Sequence, residues 1–410
     1  MFKENFKYKL LTALRYLGDG FFYPFFSLYL VTRGLTEARI GFILGISPLL
    51  AIIMNPIYSK LCNNVKKVKI TLGIISILEG LIILTIGFSK DFYLISALTI
   101  LMSIFGSCHY GLMNSLVAVY SDKTKQNYSG IRMYGSAAYI IATATGGYIC
   151  KVVSYQLAFG LSCALFIISG ILYLLLHNIE VDEAPAEEKK SDFKDYKVIL
   201  KNKSYIFFAV FYAVINALVI TGTNFLPTYL ETRGVDSDGY GLVYAYFVLF
   251  EVIFLIILNK VKIKASAYTL MILASLTLII RIIPCYFDAP VWVIISLSAF
   301  RGIGYAIILH VCFQNITKAL GEEKATKGIM LATLLYSILL FTFNNVNGIL
   351  IESFGYKTFH LVNLIASILL VIYTVFISIY NRNLEKEYVE ENNQIIDEEK
   401  EGENIWLNLI

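Results

Sequence analysis

Long apolar runs separated by short polar connections make up most of the chain. A helix needs about 20 apolar residues to cross the roughly 30 Å hydrocarbon layer of a bilayer. Twelve runs approach or exceed that length, and each predicts a membrane-spanning helix. They lie near residues 10–31, 38–59, 68–88, 92–120, 132–150, 155–176, 204–230, 239–259, 265–286, 290–317, 328–351 and 357–380.

The composition agrees with this pattern. Of the 410 residues, 57% are hydrophobic and 16% are charged, and the mean hydropathy is +0.68. A chain this apolar cannot bury its hydrophobic surface in a water-soluble core, so we expect an all-α integral membrane protein. The first run is too long for a signal peptide and lacks a small-residue cleavage site, which predicts an uncleaved first span.

Two segments repeat one another at an offset of 200 residues. YLVTRGLTEARIG begins at Tyr29 and YLETRGVDSDGYG begins at Tyr229, and each follows an apolar run that contains a proline. A parallel repeat of six-helix halves is one way in which secondary transporters are built. The repeat predicts two pseudo-symmetric six-helix bundles, at 1–176 and 204–380. The glycines Gly34 and Gly234 are expected to cap helix C-termini.

Two stretches of the chain are polar. Residues 177–203 mix both signs of charge with a proline, which is typical of a linker between domains. Residues 381–410 are acidic and poor in hydrophobic residues, which predicts a disordered tail. The terminal IWLNLI is the exception to that composition.

The basic residues predict the orientation. If the N-terminus lies inside the cell, most of the 34 lysines and arginines fall in cytoplasmic loops and tails, which is the usual bias of membrane proteins. We therefore expect both termini in the cytoplasm and a location in the cell membrane. The net charge of +4 follows from this topology, and no basic patch interleaved with aromatic residues indicates nucleic-acid binding.

The sequence predicts no cofactor and no metal. Its six cysteines show no CxxC spacing, so neither a disulfide framework nor a zinc site is indicated. No GxxxxGK[ST] loop is present to bind a nucleotide. We expect a monomer.

Ionisable residues inside the predicted spans are candidates for function, because a charge at the bilayer centre costs about 3 kcal/mol on insertion scales. At 1.5 Å per residue, Glu251 and Arg301 lie about 18 and 16 Å from the outer ends of their spans, so they can meet. Arg281 lies about 8 Å from an outer end. The candidates are Arg15, Asp19, Glu79, His109, Arg132, Glu251, Arg281, Arg301 and His310.

These candidates differ in how they can be interpreted. Arg15 and Asp19 share a helix face and form either a functional pair or a structural one. Glu79 has no partner that the sequence identifies. A lone histidine such as His109 is more often a hydrogen-bonded packing residue than a proton relay. Glu251, Arg281, Arg301 and Asp19 are the residues that we predict to couple transport to protons.

Uncharged polar residues form stripes on three spans. They predict a solute-binding surface, or alternatively hydrogen bonds that join helices, as serine, threonine and asparagine often do in membranes. Stripes in both halves, around charges at mid-depth, favour a shared aqueous cavity. The predicted binding residues are Arg132, Ser136, Tyr139, Asn216, Thr223 and Asn344.

Four segments resemble the major facilitator superfamily, in the branch of lactose permease and of the nucleoside:proton and phenylpropionate-type permeases. They are GFFYPFFSLYL at 20–30, SGIRMYGSAAY at 129–139, YGLVYAYFVLFEV at 240–252 and RII at 281–283. The resemblance covers almost the whole membrane portion. It implies that Arg132 binds solute, that Glu251 is membrane-embedded and that Arg281 takes part in proton coupling.

The chain also departs from that branch. Arg301 stands where lactose permease has its coupling histidine, and Gly304 stands where it has the proton-carrying glutamate. The glutamate that binds galactosides is missing, with Asn114 and Ala118 nearby. These differences predict that lactose is not the solute and that the usual proton site has moved or is lost.

We therefore expect a secondary active transporter of a small polar solute, such as a sugar, a nucleoside or a related compound, that works by alternating access as a proton symporter. One alternative is proton-driven efflux of a drug or metabolite on the same fold. A more distant one is a multi-pass membrane enzyme, although no HExxH or comparable cluster indicates it.

Overall fold

A computed structural model gives the architecture. It describes residues 2–177, 193–260 and 266–407. Within these ranges, the side chains of residues 2–3, 129, 193–195, 259–260, 309–310, 322–323 and 381–407 are not described. The described chain is helical throughout and contains no strand.

The first half contains eight helices and one 3-10 turn at Tyr23–Phe25. The helices are α1 (Phe2–Phe22), α2 (Phe26–Thr32), α3 (Glu37–Leu61), α4 (Val65–Phe88), α5 (Phe92–Gly106), α6 (His109–Thr124), α7 (Tyr128–Val152) and α8 (Tyr155–Leu174). The remaining helices are α9 (Phe193–Lys201), α10 (Lys203–Asn224), α11 (Leu226–Thr232), α12 (Ser237–Lys260), α13 (Ala267–Tyr286), α14 (Val291–Leu320) and α15 (Glu322–Leu407).

These helices make twelve spans. Nine described segments are long and apolar enough to cross a membrane, and one of them, Lys324–Tyr380, has 57 residues and is long enough for two spans. Its helix changes direction at Gly355, whose φ of 78° is left-handed. The more polar α1–α2 and α7 complete the set. The fold class predicted from the sequence, twelve helices in two six-helix bundles, is confirmed.

Polar side chains at the helix starts fix several boundaries. Asn64, Asp91, Asn127 and Ser154 each accept a hydrogen bond from the backbone N–H three residues later. Such a cap satisfies a donor that the first turn of a helix leaves unpaired. Their own capping side chains therefore fix the starts of α4, α5, α7 and α8.

The sequence repeat has the same local structure in both copies. A helix break precedes α2 in one half and α11 in the other. Gly34 and Gly234 have φ values of 72° and 79° at the ends of these helices, as predicted for C-terminal caps. The Tyr29 hydroxyl donates to the backbone at the end of α4, and the Tyr229 hydroxyl donates to the backbone at the end of α13. Since α2 packs on α11, both copies lie on one side of the molecule.

The two halves share a hydrophobic core only on that side, which we call the repeat side. One buried cluster combines residues of both halves, such as Phe26, Tyr29, Phe225 and Tyr229. A second cluster contains only residues of the first half, around Leu72. A third, around Met271, contains only residues of the second half and Ile199 of α9. The halves are therefore joined on the repeat side and separate on the opposite side.

The polar stretches are described in part. Most of the predicted linker at 177–203 lies outside the described residues, apart from the short helix α9, in which Ile199 is buried. The sequence predicts disorder for 381–410, whereas the backbone of α15 is helical to Leu407. Glutamate and lysine are good helix formers, so a polar segment of this composition can continue a helix without a core to pack on.

Candidate functional site

A cavity of about 590 Å³ lies between the halves at mid-depth. Most of its polar lining consists of hydroxyl and amide groups, and Ser103 of α5 donates to Ser47 of α3 in its wall at 2.7 Å. The two charged residues in its lining are Asp19 and Arg301, one from each half. The neutral polar residues are Ser27, Ser47, Thr99, Ser103, Ser107, Thr223, Asn224, Thr333 and Ser337.

Tyrosines supply most of the aromatic lining. The rings of Tyr139 and Tyr244 connect the halves with their centroids 5.7 Å apart. The Arg301 guanidinium lies 5.7 Å from the centre of the Tyr244 ring. Ring faces beside hydroxyl groups are typical of sites for solutes that carry both a ring and polar substituents. The other tyrosines of the lining are Tyr23, Tyr110, Tyr240 and Tyr336.

Glycines close the cavity on the repeat side. A Cβ atom on Gly348 of α15 would lie 2.5 Å from the backbone oxygen of Glu37 at the start of α3. Similar close approaches place Gly41 against the Asn344 backbone and Gly147 against the Ser237 backbone. Only residues without a side chain let helix backbones approach this closely. The helix pairs α3–α15 and α7–α12 therefore seal the halves together.

Polar contacts reinforce this closure. The Tyr356 hydroxyl donates to Glu37 Oε1 at 2.6 Å, and the Ala38 N–H donates to Glu352 Oε2 at 3.1 Å. Lys151 lies 3.0 Å from the carboxylates of both Asp236 and Asp238. These bonds join the first half to the second. Because the hydrophobic cores of the described halves are separate on the other side, the cavity is accessible from the side opposite the repeat.

A buried charge cluster lies in the first half. Arg15 donates to Asp19 Oδ2 at 3.0 Å and to Glu79 Oε2 at 2.6 Å. His109 Nδ1 lies 3.3 Å from both the arginine and Glu79, and the Tyr110 hydroxyl donates to Asp19. The side chains of Arg15, Asp19 and Glu79 are at most 1% exposed. Asp19 also lines the cavity, so the cluster touches the solute path.

The formal charges of this cluster do not balance. One arginine faces two carboxyl groups, and a buried carboxylate without a partner is costly. One additional proton, on a carboxyl group or on His109, would make the cluster neutral. The arrangement is therefore suited to taking up and releasing a single proton beside the cavity.

A simpler pair lies in the second half. Arg301 Nη1 donates to Glu251 Oε2 at 3.2 Å, which brings together the two residues that the sequence places at matching depth. The side chains are 8% and 21% exposed. One arginine and one carboxylate balance, so this pair needs no additional proton for neutrality.

Arg281 lies apart from that pair. Its Nη2 is 3.5 Å from the backbone oxygen of Val219, and its side chain packs at Gly222 on α10. It makes no ion pair among the described residues. The structure therefore does not bring Arg281 to Glu251, and its predicted role in proton coupling stays a prediction.

The predicted solute-binding residues fall into three places. Tyr139 and Thr223 line the cavity. Arg132 is exposed in the open cleft, where its Nη1 donates to Asn114 at 3.0 Å, and Ser136 is half-buried one helix turn further along α7. Asn216 donates to a carbonyl of its own helix. Asn344 is fully buried and accepts from Asn224, a bond that joins α15 to α10 in this conformation.

The sequence does not indicate the Arg15 contacts of two cluster residues. It identifies no partner for Glu79 and predicts a hydrogen-bonded packing residue at His109, and both contact Arg15. Their positions on α4 and α6 are far from Arg15 in the chain, and periodicity within one helix carries no signal for such contacts. The side chain of His310 lies outside the described residues.

Known proteins with related sequences are transporters. The chain is 22% identical over 309 residues to the uncharacterized transporter YwbF of Bacillus subtilis (strain 168), covering 74% of this chain and 75% of that protein. It is 19% identical over 325 residues to the maltose permease of Geobacillus stearothermophilus, covering 79% and 82%.

The fold is also found in solved structures. The crystal structure of the nucleoside transporter NupG matches with a TM-score of 0.77 at 16% identity, covering 92% of this chain and 98% of that one. A model of the MFS_1 like family matches residues 7–364, which is most of the chain. The chain therefore belongs to the MFS_1 like family, within the major facilitator superfamily of multi-pass membrane transporters.

Proposed function

We propose that this protein imports a small, neutral, polar solute together with a proton. The observation that carries the proposal is the central cavity between the two halves, lined by hydroxyl groups and tyrosine rings and touched by a charge cluster suited to one exchangeable proton. Transport by such a protein needs no nucleotide, because the proton gradient supplies the driving force.

The geometry supports alternating access. The cavity is sealed on the repeat side and accessible from the other side. With both termini in the cytoplasm, as the basic residues predict, the repeat side is external and the cavity faces inward. Rocking of the two halves about the cavity would break the α3–α15 and α7–α12 contacts and expose the same cavity to the outside.

The lining favours a neutral solute. Arg301 is paired with Glu251 and Asp19 is paired with Arg15, so neither charged residue is free to neutralise an ionic solute. A volume of about 590 Å³ lies in the usual range for sites that hold a small organic molecule. The relatives named for maltose and for nucleosides carry solutes with polar rings, which agrees with tyrosines and hydroxyl groups in the lining.

We assign the proton to the Asp19 cluster. Its two carboxyl groups share one arginine, whereas Glu251 pairs with Arg301, which makes no other ion pair among the described residues. A proton that enters from outside would occupy the cluster while the solute is bound. Release of that proton to the cytoplasm would follow when the cavity faces inward, and the membrane potential adds about 2.3 kcal/mol per charge per 100 mV to this movement.

Efflux of an apolar or cationic drug on the same fold is the competing function. The polar lining and the paired charges favour import of a polar solute instead. The transporter relatives and fold point away from an enzyme. We propose the cell membrane as the location and a monomer as the working unit.

Uptake by proteoliposomes tests the function. Purified protein would be reconstituted and offered a panel of radiolabelled sugars, nucleosides and aromatic acids. The lumen would be held near neutral pH, and the outside would be either at the same pH or about two pH units more acidic. We expect one polar-ring solute to accumulate only with the acidic outside, and a protonophore to abolish accumulation. Accumulation that is insensitive to pH and to the protonophore for every solute would refute proton coupling.

A further inference from the structure

A second, much smaller cavity lies inside the second half, away from the solute path. Its volume is about 20 Å³, and it lies where α10, α13 and the last span of α15 meet. That is room for a single particle about the size of a water molecule. Arg281 and His360 both line it, together with Gly222, Cys285 and Asn363.

Both basic side chains in this cavity have a buried nitrogen without a hydrogen-bond partner among the described residues. The atoms are Nη1 of Arg281 and Nε2 of His360. The two residues are only 7% and 6% exposed. Buried polar atoms are nearly always hydrogen-bonded, so two such atoms on one small cavity indicate an occupant that forms hydrogen bonds with them.

The charge of Arg281 specifies what that occupant is. A guanidinium stays protonated inside proteins. Arg281 makes no ion pair among the described residues, and the acid that was expected to meet it, Glu251, is engaged by Arg301. A buried charge without a counter-charge costs several kcal/mol. A water molecule would satisfy the hydrogen-bonding groups but would leave the charge uncompensated.

The neighbouring groups cannot supply the missing negative charge. The side-chain N–H groups of Asn363 donate to Asn347 and to a backbone oxygen, and the Cys285 thiol donates to the backbone oxygen of Arg281. His360 lies edge-on to Tyr229, with the ring centroids 4.6 Å apart. The cavity therefore holds a fixed positive charge and, among the described residues that line it, no carboxylate to balance that charge.

We propose that this cavity binds a monovalent anion of the size of chloride, held by Arg281 and His360. The anion neutralises the arginine and ties α13 to the last span of α15 through the two side chains. The site is separate from the solute cavity and does not depend on which solute is transported.

The first test uses the unaltered protein. Crystals of the full chain grown in sodium bromide would be measured at the bromine absorption edge. We expect an anomalous difference peak within hydrogen-bond distance of Arg281 and His360. An ordered water or no density at this position, with no anomalous signal, would overturn the proposal.

Solution measurements give a second test. In sodium chloride rather than sodium gluconate at equal ionic strength, we expect the thermal unfolding midpoint of the wild type to rise by about 2–4 °C. Arg281→Gln should lose this chloride-dependent shift, whereas the exposed-arginine control Arg39→Gln should keep it.

His360→Phe removes one proposed hydrogen-bond donor to the anion but keeps Arg281. It provides a second test if Arg281→Gln does not fold. We expect chloride binding about tenfold weaker or more, read from the chloride concentration that gives half of the stability shift, because a hydrogen bond to a charged group is lost. Equal midpoints in chloride and gluconate for the wild type, or an unchanged shift in Arg281→Gln, would contradict the anion site.

Discussion

Replacing Gly348 by alanine should open the repeat side, which is the external side in the orientation proposed above. The added Cβ would lie 2.5 Å from Glu37 O and 3.0 Å from Ala38 Cα, both backbone atoms that cannot rotate away. Real Cβ atoms essentially never approach closer than 3.0 Å. The start of α3 must therefore move away from α15 by about 0.5 Å, the difference between 3.0 and 2.5 Å.

That displacement has a further cost. It would lengthen the Ala38 N–Glu352 Oε2 hydrogen bond from 3.1 Å to about 3.6 Å, beyond hydrogen-bonding range. Overpacking of this kind costs about 1–3 kcal/mol. Because the close approach exists only while the repeat side is closed, the cost falls on the inward-open state. The equilibrium should shift toward the outward-open state by about 5- to 150-fold.

Thiol labelling measures this shift. Ser47 lines the cavity, so a Ser47→Cys reporter in a Cys62→Ser background becomes reachable from outside only when the repeat side opens. In right-side-out vesicles, we expect Gly348→Ala to speed labelling by an external, membrane-impermeant maleimide at least about fivefold. Gly111→Ala is the matched control, since a Cβ there meets no atom within 4 Å. Equal rates in the two variants would refute the glycine seal.

Three other changes test separate parts of the protein. Arg132→Lys keeps the positive charge but loses the planar guanidinium, so the affinity for the solute, measured by equilibrium binding, should fall about tenfold if Arg132 contacts it. An unchanged affinity would mean that Arg132 does not bind the solute. Arg15→Gln leaves two buried carboxyl groups without their cation and should lower stability by about 3–5 kcal/mol, seen as a lower unfolding midpoint; an unchanged midpoint would mean that the cluster is not buried in the native protein. Lys151→Ala removes solvent-exposed ion pairs, so it should change the external labelling rate of Ser47→Cys less than Gly348→Ala does. A larger change in that rate would show that the ion pairs, and not the glycines, keep the repeat side closed.

Much of the fold follows from the sequence because the bilayer constrains it. Apolar runs of about 20 residues can only be spans, and the repeated Thr-Arg-Gly turn fixes the parallel arrangement of the halves. The pairing of Glu251 with Arg301 was also predictable, since depth follows from helix rise alone.

Contacts between distant helices were not predictable in the same way. Glu79 and Arg15 lie on different helices, and nothing in either helix specifies the rotation that brings them together. The same holds for Asn344, whose polar stripe fits a cavity wall and a helix contact equally well. Which state of the transport cycle is populated depends on small differences in packing between the halves, and local patterns do not record them.

The proton assignment is tested most directly by comparing uphill accumulation with solute exchange in Asp19→Asn and Glu251→Gln. Asparagine imitates a permanently protonated Asp19, so this variant should exchange solute across the membrane at a rate comparable to the wild type. It should fail to accumulate solute against a gradient, whatever the pH difference. Glu251→Gln should still accumulate solute when the outside is acidic. Uphill, pH-dependent accumulation by Asp19→Asn, with its loss in Glu251→Gln, would contradict the account and place the proton on Glu251.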